Sequence, residues 1–379
     1  MSSNKSIKKI SVLGCGLIGS AIAVDLCRDY NVTVADSDLE KLNAVQATNP
    51  LRIIQSDFLN QSELKRIVSD ADLIISAVPG SIGFSVLKSL IGLNKNVVDI
   101  SFFAENPFEL DEQAKRKNLT VVVDCGVCPG LSNIILGYYN KKLNIKSYSV
   151  YVGGLPKNPK PPFNYKAPFS PSDVIEEYTR PARCVENGKV IIKEALSDVE
   201  LIDFNNVGQL EAFNTDGLRT LLTTMQIPNM KEKTLRYPGH SQLIKAFRDV
   251  GFFDRDEIFI KDKLIRPIDF TSNLLYKQWK LEKGEKEFTV MRILLESENE
   301  LINYELYDEY DEQTQTTSMA RTTGYTCTAA ARLILERNYN RTGIIPPEYL
   351  GENEDDLNFV LNYLMKKNIQ LRKTESRLK

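Results

Sequence analysis

Short apolar runs alternate with amphipathic stretches of about ten residues through the first third of the sequence. Residues 8–14, 31–36, 51–55, 71–79, 96–99 and 120–124 read as strands. Between them, 20–28, 61–68, 83–91 and 106–117 carry helical apolar spacing. Strands alternating with helices of this length predict βαβ units, a parallel sheet and right-handed crossovers, so the fold class is α/β.

After Gly130 the texture changes. Residues 131–142 read as a helix and 147–152 as a strand. Residues 155–171 then hold six of the 16 prolines with Phe163, Tyr165 and Phe169, which predicts a functional loop packed against the protein. Short strands are expected near 183–205, with Asn187-Gly188 as a hairpin turn, and again over 286–295 and 301–308. This stretch reads as an antiparallel α+β domain. Residues 318–335 read as a small-residue-rich helix, and 366–379 as a solvated basic tail. The domains are therefore placed at 1–128, 129–317 and 318–379, the last returning to the first.

Composition narrows the function classes. Lys+Arg 48 against Asp+Glu 50 gives a formal charge of −2, which implies neither nucleic acid nor an anionic membrane as partner. Met1–Lys5 leads into an apolar run at 10–13, too short for a secretion signal, and no stretch approaches ~20 apolar residues. The six cysteines are expected as reduced thiols in a cytoplasm.

The first candidate chemistry is Gly14-Cys-Gly16-Leu17-Ile18-Gly19, between the first strand and the first helix. Gly14 suits the tight turn, Gly16 lets a pyrophosphate touch the backbone, and Gly19 lets helix and strand pack closely. The second strand ends on Asp36, which can accept hydrogen bonds from ribose hydroxyls and would repel a 2′-phosphate. No cation follows until Lys41, so NAD is expected over NADP. The first domain is thus Rossmann-type. Ligands in such sheets lie beyond the carboxyl ends of the strands, which nominates Asp57, Ala77, Val78, Pro79, Asp99, Cys125 and Gly126 as well.

Several longer motifs resemble the saccharopine dehydrogenase family, nearest its lysine 6-dehydrogenase branch. They are Asp124–Asn133 (DCGVCPGLSN), Val152–Pro156 (VGGLP), Glu177–Arg183 (EYTRPAR), Phe213–Thr220 (FNTDGLRT), Lys233–His240 (KTLRYPGH) and Ala320–Gly324 (ARTTG). The resemblance implies a Rossmann domain, an α+β domain that binds substrate and builds a homodimer, and NAD(P)-dependent chemistry at the carbon–nitrogen bond of the lysine side chain. In that branch lysine becomes allysine, which cyclises to piperideine-6-carboxylate. Saccharopine reductases usually carry Tyr, Asp and Cys at positions that match Phe102, Cys128 and Val152 here, which argues against their mechanism. Saccharopine or polyamine C–N oxidation, and a non-catalytic NAD sensor, are the alternatives.

Hydride loss from a carbon bearing nitrogen needs a free lone pair, and an ε-ammonium has a pKa of ~10.4 in water. A base tuned near neutrality or an apolar pocket would remove its proton. His240 is the only histidine and suits the base; Tyr178 could donate to substrate. Arg180 and Arg183 could clamp a carboxylate, and Glu177 or Asp216 the α-ammonium. Cys125-x-x-Cys128 lacks the further ligands a structural zinc needs, so no metal is expected; buried thiols beside the cofactor or a dithiol redox pair remain.

Overall fold

The computed structural model describes residues 7–169, 171–205, 207–282, 284–337 and 339–378. Met1–Lys5, the stretch expected to carry no secretion signal, lies outside the described residues. The protein forms two compact units, Met1–Lys141 with Ala320–Asn368, and Lys142–Met319 with Ile369–Lys379.

The first unit runs β1 (Lys9–Leu13), α1 (Leu17–Leu26), β2 (Asn31–Asp36), α2 (Leu39–Gln46), β3 (Arg52–Gln55), α3 (Gln61–Val68), β4 (Leu73–Ser76), α4 (Gly80–Gly92), β5 (Val97–Asp99), α5 (Asp111–Arg116), β6 (Thr120–Val122) and α6 (Leu131–Lys142). In the second unit follow β7 (Ser147–Pro156), α7 (Pro171–Thr179), β8 (Ala182–Glu186), β9 (Lys189–Lys193), β10 (Glu200–Phe204), β11 (Gly208–Asn214), α8 (Leu221–Thr224) and β12 (Asn229–Arg236). It continues with α9 (His240–Asp249), β13 (Ile258–Ile260), β14 (Lys263–Ile265), α10 (Pro267–Trp279), β15 (Glu287–Glu296) and β16 (Glu300–Glu309). The last elements are α11 (Ser318–Glu336), β17 (Gly343–Ile345), α12 (Pro347–Gly351), α13 (Glu354–Lys366) and β18 (Leu371–Arg377).

The first sheet is all parallel, in the order β17-β6-β5-β4-β1-β2-β3. Strand order reverses at β1, between its β2 side and its β4 side, which is where such sheets open a ligand crevice. Its strands are apolar on both faces because helices cover both, and Val12, Val34, Ile75, Val98 and Val121 are fully buried. The second sheet is mixed. Most neighbours are antiparallel, but β12 runs parallel to β7, so the expectation of a wholly antiparallel sheet is corrected. Asn187 and Gly188, both with positive φ, make the two-residue turn between β8 and β9.

The domain limits differ from those expected. α6 belongs to the first unit: Asn133 donates to Glu348, and a side chain on Gly137 would meet the Glu348 carbonyl at 1.9 Å. The basic tail is not a frayed end over its described part. Residues 371–377 form β18, which pairs antiparallel with β16 at the edge of the second unit's sheet, with its polar side chains exposed after Leu371. Lys379 lies outside the described residues.

Candidate functional site

The first unit carries the glycine cradle at the β1–β4 crevice. Gly14 sits at φ +102°, and a Cβ there would lie 2.3 Å from the Ala77 carbonyl oxygen. A Cβ on Gly19 would lie 2.2 Å from the Gly14 oxygen. Gly16 faces open space and caps α1 without a side chain, so the first-turn N–H groups of α1, from Leu17 and Ile18 onward, have no helical acceptor. These groups and the positive end of the helix dipole suit a diphosphate. Ala77 and Pro79 border the same loop, with Val78 buried beneath it. The residues present therefore fit a dinucleotide.

Asp36 is already engaged. Its carboxylate accepts from the Cys15 amide at 2.6 Å and the Asp38 amide at 2.9 Å, which locks the glycine loop to the β2–α2 turn. It remains only partly buried. Asp38 caps α2 and pairs with Lys41 at 3.2 Å, so the nearest cation in sequence is neutralised. Asp57 is exposed and accepts from the Leu59 amide.

Asp99 and Cys125 are corrected: neither side chain can touch a cofactor. Asp99 is fully buried, and Ser101 donates to it through both its hydroxyl (2.9 Å) and its amide (3.1 Å). Burial pushes its carboxyl up to about 7. Cys125 is also fully buried, and burial raises its thiol well above the usual range, which removes thiolate reactivity. Gly126 stays partly open, with Thr323 of α11 lying 3.2 Å from where its Cβ would be. Among the described residues, no group of three or more His, Cys, Asp or Glu could hold a metal ion.

In the second unit, His240, Tyr178 and Arg236 form one buried relay on the β12 face that α7, α9 and α10 cover. The His240 Nδ1–H donates to the Phe163 carbonyl at 2.8 Å, because a carbonyl can only accept. Its Nε2 therefore accepts from the Tyr178 hydroxyl at 2.9 Å. Tyr178 in turn accepts from Arg236 Nε at 3.0 Å. Arg236 Nη2 donates to Glu177 at 2.8 Å, and its guanidinium stacks 4.3 Å from the Tyr165 ring centroid. Glu211 on β11 accepts from the Gly239 and Ser241 amides, which sets the start of α9 and so places His240.

This geometry corrects the reading of His240 as a base tuned near neutrality. Burial, with the Arg236 charge nearby, drops its pKa to about 3. It is a neutral acceptor that holds Tyr178. Glu177 is likewise spent on Arg236, not on a substrate ammonium. Arg236 was missed, although it lies in the Lys233–His240 motif. The Pro-rich loop packs against the second unit as expected: Phe163 and Tyr165 are buried in the core, and the Ala167 amide bonds the Trp279 carbonyl at 2.8 Å.

A titration tests the neutral histidine. Unfolded, His240 takes up a proton below ~6.5; folded, it does so only near 3, so its contribution to stability falls as pH drops through that window. The stability gap between wild type and His240→Gln should narrow by about 3 kcal/mol between pH 7 and pH 4, read from urea midpoints. A gap that stays constant would mean the imidazole is charged in the fold.

Arg183 and Asp216 form a closed pair. Arg183 donates through Nε and Nη2, each at 2.8 Å, and through its own amide at 3.1 Å. Asp216 is thus occupied by Arg183, so the carboxylate clamp and ammonium partner read from these two residues are corrected. Arg180 is largely buried and pairs with Glu176 at 3.7 Å, and burial, with the charge of Arg219, lowers its pKa. Arg219 is buried at φ +51°, an uncommon conformation for a long side chain. On the opposite face of the sheet a cavity of about 540 Å³ opens among Lys193, Lys231, Lys233, Asp198 and Glu200. There Lys193 pairs with Glu186 and Asp198 while Lys231 and Lys233 share Glu200, so three carboxylates match three lysines.

A glycine cradle of this build, at the crevice of a doubly wound parallel sheet, defines a nicotinamide-dinucleotide-binding protein of Rossmann type. The chain belongs to the saccharopine dehydrogenase family. Residues 10–122 match the family's NADP binding domain and 126–369 its C-terminal domain. Alpha-aminoadipic semialdehyde synthase of Mus musculus is 26% identical over 268 residues, 66% of this chain and 29% of that protein. Saccharopine dehydrogenase (NADP+, L-glutamate-forming) of Saccharomyces cerevisiae is 27% identical over 277 residues, 67% of this chain and 61% of that protein. The sequence thus spans under two thirds of these relatives. Among solved structures, the apo yeast saccharopine dehydrogenase (L-Glu forming) aligns over 97% of this chain and 100% of its own with TM-score 0.77 and 19% identity. A homospermidine synthase from Legionella pneumophila, in complex with NAD, aligns over 97% of this chain and 91% of its own with TM-score 0.70 and 13% identity. Among the described residues, no helix is long and apolar enough to cross a membrane. The six cysteines are free thiols.

Proposed function

We propose that this protein oxidises the carbon bearing the ε-nitrogen of L-lysine to allysine, which cyclises to piperideine-6-carboxylate, in a cytoplasmic setting. The bound dinucleotide supplies a nicotinamide ring that accepts the hydride. Gly14, Gly16 and Gly19 shape its seat, the first-turn amides of α1 meet its phosphates, and Asp36 receives a ribose hydroxyl through its remaining lone pairs. NAD is favoured because the β2–α2 turn offers Asp36 and Asp38, with Lys41 held by Asp38.

The observation that carries the reading is the match of residues 10–122 and 126–369 to the saccharopine dehydrogenase family together with the glycine cradle, and Arg180 and Arg219 are the candidates for the carboxylate of an amino acid. Arg183 and Asp216 brace the loop that presents Arg219, and Tyr178, His240 and Arg236 hold the α7–α9 wall behind it. With His240 neutral, the ε-ammonium loses its proton through an apolar environment, so turnover rises toward alkaline pH.

Purified protein with L-lysine and NAD should build the NADH absorbance band at alkaline pH, and cadaverine, which lacks the carboxylate, should give little. Arg180→Met or Arg219→Met should raise KM for lysine about 100-fold with a smaller change in kcat, the size expected of a lost charge-assisted contact. Equal turnover of cadaverine and lysine would refute the carboxylate reading.

A second reading is saccharopine oxidation with NADP, favoured by the names of the curated relatives and by the NADP binding domain match. The same assay with saccharopine, and with NADP in place of NAD, separates the two.

A further inference from the structure

Glu232, Thr234 and Arg236 alternate along β12 and so share one face of the second unit's sheet, while Lys231 and Lys233 line the opposite one. Glu232 is 3% exposed. Its Oε2 accepts from the Thr215 hydroxyl at 2.6 Å and the Gly217 amide at 3.0 Å, and the Thr215 oxygen accepts in turn from Thr234 at 2.8 Å. A Cβ on Gly217 would lie 2.4 Å from the Glu232 carboxyl carbon, so glycine lets the 215–217 turn close onto the acid. The neighbouring acids are spent: Glu177 on Arg236, Asp216 on Arg183, Glu176 on Arg180 and Arg255, and Glu211 on the first amides of α9. Among the described residues, no cation pairs with Glu232, and its Oε1 takes no hydrogen bond. The ionisable groups around it are Glu177 on α7, Asp216 after β11 and Cys184 on β8. Burial, with the charges of Glu177 and Asp216, raises its carboxyl to about 8, so it holds a proton at neutral pH.

We infer that Glu232 receives the α-ammonium group of an amino-acid substrate through Oε1, and so selects α-amino acids over simple amines. A buried acid with both its hydrogen bonds on one oxygen offers the other to a donor, and an ammonium supplies the positive charge that the acid lacks. The chain places this acid beside the candidates for the carboxylate. Gly217 bonds Glu232, and Arg219 follows two residues later, so an ammonium and a carboxylate borne on one carbon meet opposite charges from a single turn. Binding is then linked to a proton. The Glu232 O–H gives its proton to solvent, the carboxylate pairs with the ammonium, and no other bond changes. The inference rests on the amino-acid reading of the site and assigns the ammonium role that Glu177 and Asp216, already paired, do not fill.

Calorimetry of L-lysine binding to the full-length protein at pH 7, with NADH present so that no hydride moves, should give heats that depend on the buffer's ionisation enthalpy. They should correspond to release of about 0.5–1 proton per lysine bound, as an acid that titrates near 8 requires. Glu232→Gln keeps the shape and the acceptor oxygen of the protonated acid, so it should melt within about 2 °C of wild type. It should abolish the release and weaken lysine about 10- to 100-fold, the size of a lost charge-assisted bond. 6-Aminohexanoate, which keeps the carboxylate and the ε-amine but has no α-ammonium, should bind both proteins equally and release no proton. Lysine binding without proton release, a Glu232→Gln variant that binds lysine as tightly as wild type, or proton release with 6-aminohexanoate would each overturn the inference. Failure of the lysine reading alone looks different: saccharopine, which also carries an α-ammonium, would bind in place of lysine and still release a proton only while Glu232 is present. A protein that binds neither would overturn both.

Discussion

Gly14→Ala should unfold the first unit's crevice and Gly16→Ala should leave the fold intact, although the two glycines lie two residues apart. At Gly14 the new methyl would stand 2.3 Å from the Ala77 oxygen and 2.9 Å from its carbon, both backbone atoms that cannot rotate away. The residue also sits at φ +102°. Overpacking of this kind costs ~1–3 kcal/mol and a non-glycine residue at positive φ a further ~1–2 kcal/mol. For a unit of this size that amounts to a fall in melting temperature of roughly 5–15 °C. At Gly16 nothing lies within 4 Å, so Gly16→Ala should melt within about 2 °C of wild type. Its methyl would instead occupy the face offered to the diphosphate, and dinucleotide affinity should drop at least about 10-fold, the effect of one lost or obstructed contact. Calorimetry with and without NAD reads both quantities. A Gly16→Ala protein that binds NAD normally would mean the dinucleotide lies elsewhere.

The second large effect concerns Glu177. Its carboxylate is the acidic partner of Arg236, a residue 2% exposed that also bonds Tyr178 and the Leu235 carbonyl. Removing one member of a buried ion pair strands the other charge, at a cost of ~3–5 kcal/mol. Glu177→Ala should lose about that much, measured by urea titration with the fluorescence of Trp279. That is the only tryptophan, fully buried 5.4 Å from the Tyr165 ring and 6.0 Å from the Tyr178 ring. Glu177→Ala/Arg236→Met should be more stable than Glu177→Ala alone, because the stranded charge is gone. A loss below 1 kcal/mol in the single variant would show that water reaches Arg236.

The parts of the fold that were legible share a feature: their signal is local. β2 and α3 run over Asn31–Asp36 and Gln61–Val68, as the sequence predicts, since each has a clean period and a polar residue at its boundary. The hairpin turn at Asn187-Gly188 needs only two residues that tolerate positive φ. α2 went unread because its apolar positions are reduced to Leu39, Leu42 and Val45 among polar residues. α9 begins where Glu211, on another strand, accepts its first amides, and no local pattern announces that.

The candidate site divides the same way. That Gly14 and Gly19 form a turn between strand and helix follows from residue type and spacing, because only glycine satisfies a backbone at positive φ, as at Gly14, or one packed against a carbonyl, as at Gly19. The order of βαβ units follows from periodicity. What His240, Asp216 and Glu177 do does not. An imidazole is a base or a neutral acceptor according to its burial and its neighbours, and a carboxylate is available or spent according to which guanidinium reaches it. Those neighbours, Phe163, Arg183 and Arg236, come from other elements of the same unit. Backbone geometry over a few residues was decided by the sequence itself. Charge state and partner, set by desolvation and long-range pairing, were decided only when the second unit closed around them.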